Sequence, residues 1–265
     1  FVPGIEAVGT VVEVGSQSTY KIGDRIATTG IGAFGEKMAA QDSMTFLVPP
    51  GMNNVDAAAI RIIYETSYMA IKYKAQMQPG EVLLVHGGAG GVGTSAIQVG
   101  KALGGMVIAT ATGERDIKVC FDTGADHVID WQNEDIVTRV KELTDGRGAD
   151  VIYDPVGGDA FDASTHCINF EGRLIVIGFA SGRIPEIKGH MILNKNMSVM
   201  GFFWTNYLFK RPDLVDDYQD EINRLYLEGK FPPVVSAVLP MTDLPKSLDM
   251  ITNRDAYGKI VLVNE

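Results

Sequence analysis

From Pro79-Gly80 to about Phe203 the chain repeats one pattern. A short, near-continuous apolar run is followed by a stretch whose apolar residues fall at helical spacing. The runs lie at residues 82–85, 106–109, 128–129, 151–153, 174–177 and 198–200. Between the first two, Val92, Ala96, Val99 and Leu103 share one face of a helix that stops at Gly104-Gly105. Strands with so little polar alternation, separated by helices, predict a parallel sheet covered on both faces. Six of them predict a doubly wound α/β domain.

Either side of this region the texture differs. Residues 8–14 are β-branched after the Pro3-Gly4 turn, and Gly23-Asp24 turns the chain before Arg25-Ile26-Ala27. Residues 30–35 are turn-rich, and Phe46-Leu47-Val48 ends at Pro49-Pro50-Gly51, so the first fifty residues predict short strands. A helix is expected from Asn53–Asp56 through Ala57, Ala58 and Ala59 to about Tyr73. After Phe203 the order predicted is helix (212–227), strand (234–239), helix (244–252) and strand (259–263). The domains expected are therefore 74–232, and 1–73 combined with 233–265.

Composition narrows the functional classes. In 265 residues, 46% hydrophobic and 21% charged is the balance of an ordinary globular protein, and no apolar run is long enough to span a bilayer. A net charge of −10 opposes binding to nucleic acid or an anionic membrane surface. Two cysteines, Cys120 and Cys167, cannot build a disulfide framework or a four-cysteine zinc site. The chain opens on Phe1 with no charged segment ahead of an apolar stretch, so no signal peptide is read. With low cysteine use, the cytoplasm is the expected compartment.

The thirty glycines are the excess that points to chemistry. Residues 82–86 run into Gly88-Ala89-Gly90-Gly91-Val92-Gly93, a G-x-G-x-x-G pattern between a predicted strand and a predicted helix. In that setting Gly88 is expected to allow the tight turn, Gly90 the approach of backbone to a pyrophosphate, and Gly93 the packing of helix on strand. The helix N-terminus then offers free N–H groups to the phosphates. The second strand ends at Thr110-Ala111-Thr112-Gly113 with no carboxylate at its tip, while Arg115 and Lys118 follow. A dinucleotide with a 2′-phosphate, NADPH, is the cofactor this predicts, because either cation can pair with that group. Glu114 and Asp116 flank Arg115, which also fits a mixed-charge, solvated helix start.

Taken in order, residues 1–11 (Phe1-Val2-Pro3-Gly4-Ile5-Glu6 onward), Gly23-Asp24-Arg25, residues 87–93, Gly124-Ala125-Asp126, Asp154-Pro155-Val156-Gly157-Gly158, Gly178-Phe179 and Gly258-Lys259 resemble the medium-chain dehydrogenase/reductase superfamily. Within it they are most similar to the zinc-free NADPH:quinone oxidoreductases, the zeta-crystallin-like branch. The resemblance implies a Rossmann domain plus a mostly β GroES-like catalytic domain. That catalytic domain is expected to be N-terminally incomplete, because relatives carry further residues ahead of the position of Phe1.

By the same resemblance, Thr66 would lie beside the nicotinamide, and Gly88, Ala89, Gly90, Gly91 and Val92 at the pyrophosphate. Thr110, Thr112, Arg115 and Lys118 would approach the adenosine phosphate, and Trp131 takes the place of a usual tyrosine after the third strand. Val156 would end a strand near the ribose and Gly178-Phe179 another near the nicotinamide. Phe202, Phe203 and Trp204 would border the mouth of the site, although core or dimer packing explains such a trio equally well. Lys259 would lie near the cofactor. Relatives pair the sixth strand across a two-fold axis, which implies a homodimer through residues 198–203.

Three departures and one absence bear on the chemistry. The lysine that many relatives place near the 2′-phosphate falls at Asp116, the usual Tyr-Gly-Thr reads Tyr64-Glu65-Thr66, and the tyrosine is Trp131. Zinc-dependent alcohol dehydrogenases of the superfamily carry a metal-binding histidine in a Gly-His-Glu run. This chain reads Gly4-Ile5-Glu6, and a further ligand position, four residues before Thr66, holds Ile62. His86, His127, His166 and His190 show no paired ligand spacing, so no metal is expected. Without a Lewis acid the acceptor must already be electrophilic. The expected activity is hydride transfer from NADPH to a quinone or other activated acceptor. A 2-alkenal, enone or enoyl-thioester reductase is the enzymatic alternative, and a non-catalytic NADPH-binding structural or sensor protein the alternative of another class.

Overall fold

The computed structural model describes residues 2–264, and the chain divides into two compact units: residues 66–203, and residues up to 65 joined by those from 204 onward. The second-named unit begins with β1 (Glu6–Thr10), β2 (Arg25–Thr29) and β3 (Thr45–Leu47), an antiparallel sheet in the order β1-β2-β3. The β-branched run that predicts a strand to residue 14 pairs only as far as Thr10, opposite Arg25. Beyond it the backbone bonds once in each direction with the Gly23-Asp24 turn, and Val12 and Val14 stay exposed, so a propensity with no partner strand gives no ladder. Helix α1 (Asn54–Tyr68) is capped by Asn53, whose Oδ1 accepts from the Asp56 N–H at 2.9 Å. It continues into a π turn, Met69–Lys74, so the helix predicted to Tyr73 is present but underwound at its end.

In the unit of residues 66–203, strands β4 (Val82–Val85), β5 (Met106–Ala111), β6 (His127–Asp130), β7 (Ala149–Asp154), β8 (Ile168–Val176) and β9 (Ser198–Gly201) form one parallel sheet. Its order is β6-β5-β4-β7-β8-β9, the doubly wound Rossmann arrangement. The intervening helices are α2 (Gly91–Ala102), α3 (Gly113–Thr123), α4 (Ile136–Leu143), α5 (Gly158–Cys167) and α6 (Gly189–Lys195). Val82, Leu84, Ile108, Ile152 and Leu174 of the sheet pack with Val140 and Phe161 in one buried cluster. The near-continuous apolar runs are required because both faces of this sheet are covered. Order reverses between β4 and β7, and a crevice at such a switch point, beyond the strands' carboxyl ends, is where this architecture takes its ligands.

The chain returns through α7 (Trp204–Lys210), α8 (Pro212–Leu227), β10 (Val235–Pro240), α9 (Leu244–Thr252) and β11 (Lys259–Val263), with β10 and β11 parallel. The compact units meet at residues 65/66 and 203/204, whereas the change of sequence texture lies at 73/74 and 232/233. Side chains account for the difference. Tyr226 of α8 donates to Asp56 of α1 at 2.6 Å, and the Phe231 ring lies 5.1 Å from that of Tyr64, so α7 and α8 fold with the first half of α1. In the same unit, Ile5, Val12, Ile31 and Ile251 are exposed, and Ile5, Val12 and Ile251 line an open hollow of about 1630 Å³.

Candidate cofactor and active site

The glycine-rich segment is a turn from β4 into α2 whose shape is imposed from inside. The Gly87 N–H donates to Thr110 Oγ1 at 3.2 Å and the Gly88 N–H to the Thr110 carbonyl at 2.8 Å. Behind it, His86 is buried between Thr110 Oγ1 (3.2 Å from Nδ1) and Ser164 Oγ (2.7 Å from Nε2). Ser164 donates its own proton to the Ala160 carbonyl, so it accepts from Nε2–H, and Nδ1 is left to accept from Thr110. Burial lowers the histidine's pKa, which keeps the ring neutral and this relay intact. Thr110 is thus committed to forming the turn, its buried hydroxyl bonded to the Gly87 N–H and to His86.

The glycines have different tasks. Gly87 takes the positive φ (+61°) that the turn needs, a role the sequence pattern assigns to Gly88. A Cβ on Gly88 would sit 2.7 Å from Cys120 Sγ and 2.8 Å from Ala109 Cβ, so its missing side chain serves packing. A Cβ on Gly93 would lie 2.8 Å from Gly88 Cα and nearer still to the Gly87 carbonyl, which places this turn of α2 directly against the loop. Gly90 differs: among the described residues, the only atom near its Cβ position is the Gly87 carbonyl oxygen at 3.5 Å. It is the N-cap of α2 with extended backbone, and among the described residues no side chain caps the helix. This start of a twelve-residue helix, at the switch point of the sheet, leaves backbone N–H groups open, as an anion requires.

The other candidates line the carboxyl ends of the strands. Thr112 is the N-cap residue of α3, and its Oγ1 is buried without a hydrogen-bond partner. Arg115 and Lys118 lie on exposed parts of α3, paired with Asp116 (2.8 Å) and Asp122 (2.5 Å). Exposed pairs of this kind are worth about 0–1 kcal/mol, so neither cation is locked away from a phosphate. Trp131 follows β6, half exposed. Val156 sits in the turn after β7, where the buried Asp154 carboxylate accepts the N–H groups of Val156 and Gly157, both at 2.9 Å. Gly178 passes 3.1 Å from the Pro155 carbonyl, measured from the Cβ it lacks, and Phe179 beside it is exposed. The aromatic trio splits: Phe202 and Trp204 are buried, and Phe203 is 64% exposed.

Thr66 lies in α1, buried. Its neighbour Ser67 forms a hub that the sequence does not announce: Ser67 Oγ is 2.7 Å from Ser95 Oγ, 3.0 Å from Tyr153 Oη and 3.2 Å from the Val92 carbonyl. One hydroxyl therefore ties the residue after Thr66 to the first turns of α2 and to β7. Burial raises the Tyr153 pKa, so its phenol stays protonated and available to the network.

In the other unit, Glu6 holds two groups at once. Oε1 accepts the Ile62 N–H at 3.1 Å and Oε2 accepts from Lys259 Nζ at 2.6 Å. The bond brings β1 to the segment of α1 around Ile62, where the positions of the superfamily's metal ligands hold Ile5 and Ile62, aliphatic side chains with no lone pair to give. Lys259 is thereby occupied by a carboxylate. Farther along α1, Glu65 is fully buried; Oε2 accepts from Trp204 Nε1–H, and Oε1 lies 3.7 Å from Arg61 Nε with no hydrogen bond of its own. Arg61 stacks 4.2 Å over the Phe46 ring, and its Nε and Nη1 are buried without hydrogen-bond partners. Burial pushes the Glu65 carboxyl up to about 7, against the opposing pull of Arg61 and of the Trp204 bond. The Tyr-Glu-Thr departure pointed to Glu65. Its partners were readable only as an i, i+4 charge pair inside an apolar helix.

Comparison with known proteins fits this geometry. The family model for zinc-binding dehydrogenases matches residues 91–225, and that for the alcohol dehydrogenase GroES-like domain matches residues 1–50. The chain is 35% identical to the quinone oxidoreductase-like protein 2 homolog of Nematostella vectensis, over 99% of its own length and 73% of that protein's. A probable oxidoreductase from Mycobacterium abscessus superposes with a TM-score of 0.89 at 34% identity, covering 99% of this chain and 80% of that one. The Escherichia coli quinone oxidoreductase complexed with NADPH gives 0.92 at 27% identity, covering 98% and 82%. The fold is that of a medium-chain dehydrogenase/reductase. The chain belongs to that superfamily, in its zinc-free quinone oxidoreductase branch, and is an oxidoreductase by descent.

Proposed function

We propose that the chain binds NADPH along the rim of the residue 66–203 sheet and passes its hydride to a quinone or another activated acceptor. The observation that carries this reading is the bare, open start of α2 at Gly90, set at the switch point of a doubly wound sheet. The unpartnered Thr112 hydroxyl fits the same dinucleotide, and Arg115 and Lys118 are the cations for a 2′-phosphate. Under this reading Gly90, Gly91 and Val92 hold the pyrophosphate through backbone N–H groups. Val156, Gly178 and Phe179 border the ribose and nicotinamide, Trp131 covers the adenine end, Thr66 lies at the nicotinamide, and the exposed Phe203 ring borders the mouth where the acceptor enters. The bound cofactor supplies the hydride. The protein supplies placement and exclusion of water, and a proton reaches the reduced acceptor from solvent.

With aliphatic residues at the metal-ligand positions, polarisation of an unactivated carbonyl has no source, which favours acceptors that are electrophilic already. The edge strand β9 supports a further element of the reading, pairing with a second copy across a two-fold axis. The test is NADPH oxidation at 340 nm with 1,4-benzoquinone, 9,10-phenanthrenequinone and a 2-alkenal, with EDTA present and NADH in parallel. EDTA-resistant turnover that favours NADPH and a quinone is expected. Turnover only with the alkenal would move the substrate class to enals, and tight NADPH binding with no turnover would leave a binding protein.

A further inference from the structure

The chain passes between its two compact units twice, after Glu65 and before Trp204. These two residues are hydrogen-bonded to each other, Trp204 Nε1–H donating to Glu65 Oε2. One peptide bond beyond each stand Thr66 and Phe203, the buried threonine and the exposed ring that the proposed function puts at the acceptor end of the site. A carboxylate with no solvent exposure, bonded on one oxygen only and facing a guanidinium with two unpartnered nitrogens, is an expensive way to fill space. An apolar pair would pack there at lower cost, so the arrangement calls for a function.

We propose that Glu65 is a positioning residue: its bond to the Trp204 indole fixes the two crossings of the chain, and through them Thr66 and Phe203, so that acceptor binding follows the state of this one carboxylate. The inference rests on the proposed function for the roles of Thr66 and Phe203, but not for the bond itself. The groups that face the carboxylate are Arg61 from its own helix, the Trp204 N–H from α7, Asp216 from α8 and Glu6 from β1, the last bridged to Lys259. Arg61 favours the ionised form, and Asp216 and Glu6 oppose it. The buried, singly bonded carboxylate therefore titrates near neutrality, where Trp204 can report on it.

The chain has two tryptophans, so Trp131→Phe leaves Trp204 as the sole indole, and every comparison is made in that background. Trp204 emission is expected to show a transition near pH 7. Adding Arg61→Met should move that midpoint upward, because the cation that favours the carboxylate is gone. Arg61→Met with Glu65→Gln keeps an acceptor for the indole without any charge, so the transition should vanish while emission stays at the parent wavelength. Arg61→Met with Glu65→Ala, checked for folding by circular dichroism, removes the bond. The quinone KM should then rise by about tenfold, the weight of one buried hydrogen bond, while the NADPH Kd stays within about twofold.

Persistence of the transition in the Gln double variant, or an unchanged quinone KM in the Ala double variant, would overturn the proposal. Absence of NADPH binding or turnover in the parent would instead overturn the proposed function. In that case the emission titrations still decide whether Glu65 governs Trp204.

Discussion

Two alanine substitutions, three residues apart, separate the packing role of the glycine turn from its proposed ligand role. At Gly93 the new methyl would stand 2.8 Å from Gly88 Cα, inside the roughly 3.4 Å of an ordinary carbon contact, and the atoms it strikes are backbone. The start of α2 has to move away from the loop. Overpacking of this kind costs about 1–3 kcal/mol, and the better helix propensity of alanine returns up to about 1 kcal/mol. With the Gly87 carbonyl nearer still, the clash belongs at the upper end of that range, and a net loss of about 2 kcal/mol is a fall in Tm of about 4–8 °C for a chain of this size.

At Gly90 the methyl meets nothing closer than 3.5 Å among the described residues, and its φ of −75° suits any residue, so the fold loses only about 0.5–1 kcal/mol from a poorer cap. That methyl stands where backbone is to approach the pyrophosphate, and NADPH affinity should fall at least tenfold, about 1.4 kcal/mol. Thermal melts and NADPH titration by fluorescence quenching on both variants give the two readouts. A G90A chain that binds NADPH within about twofold of the parent would refute the assignment of Gly90 to the phosphates. A G93A chain that melts at the parent temperature would refute the packing argument.

Three further outcomes follow from the geometry. Asp154→Ala leaves two turn N–H groups without their buried acceptor and should cost about 1–3 kcal/mol, read as a lower midpoint in urea; an unchanged midpoint would mean the turn keeps its shape without the carboxylate. Asp116→Asn frees Arg115 from its neighbouring carboxylate and should lower the KM for NADPH but not for NADH, while Arg115→Ala should raise it; equal effects on both cofactors would remove Arg115 from the 2′-phosphate. Stability should also fall with rising pH on account of Glu65, whose carboxyl titrates at about 7 when folded against 4.5 when free. The folded state holds that proton more tightly, so the contribution is complete below pH 4.5 and lost as pH rises through about 7, worth about 3 kcal/mol at 1.36 kcal/mol per pH unit. The Arg61→Met, Glu65→Gln chain should lack this component in denaturant titrations from pH 5 to 8.

Periodicity located the elements whose burial is uniform. The runs at 82–85 and 151–153 are strands because both faces of their sheet are covered, and helix 212–227 and strand 259–263 have the bounds their patterns predict. It missed α6 and α7, seven residues each, too short for a period to show. It also took the valines at 11, 12 and 14 for strand, since propensity carries no information about a partner. The phosphate turn was legible because glycine spacing encodes backbone geometry directly. The separate tasks of Gly87 and Gly88, and the inward turn of the Thr110 hydroxyl, were not, because they depend on β5 and Cys120 lying beneath the loop. The Ser67 hub and the Glu65–Trp204 bond join residues far apart in the chain, and ordinary serines and a lone glutamate give no warning of them.

The Ser67 oxygen has three partners and no slack. Rotating the end of α1 to re-aim Thr66 would have to carry α2 and the middle of the sheet along with it, or break the hub outright. Under the proposed function, the distance from Thr66 to the start of α2 is the distance from nicotinamide to phosphates, and the hub sets it once. Under the same proposed function, divergence in what such a chain reduces falls to the loop after β8 and the exposed ring of Phe203. A protein built this way can change its diet while keeping the same bite.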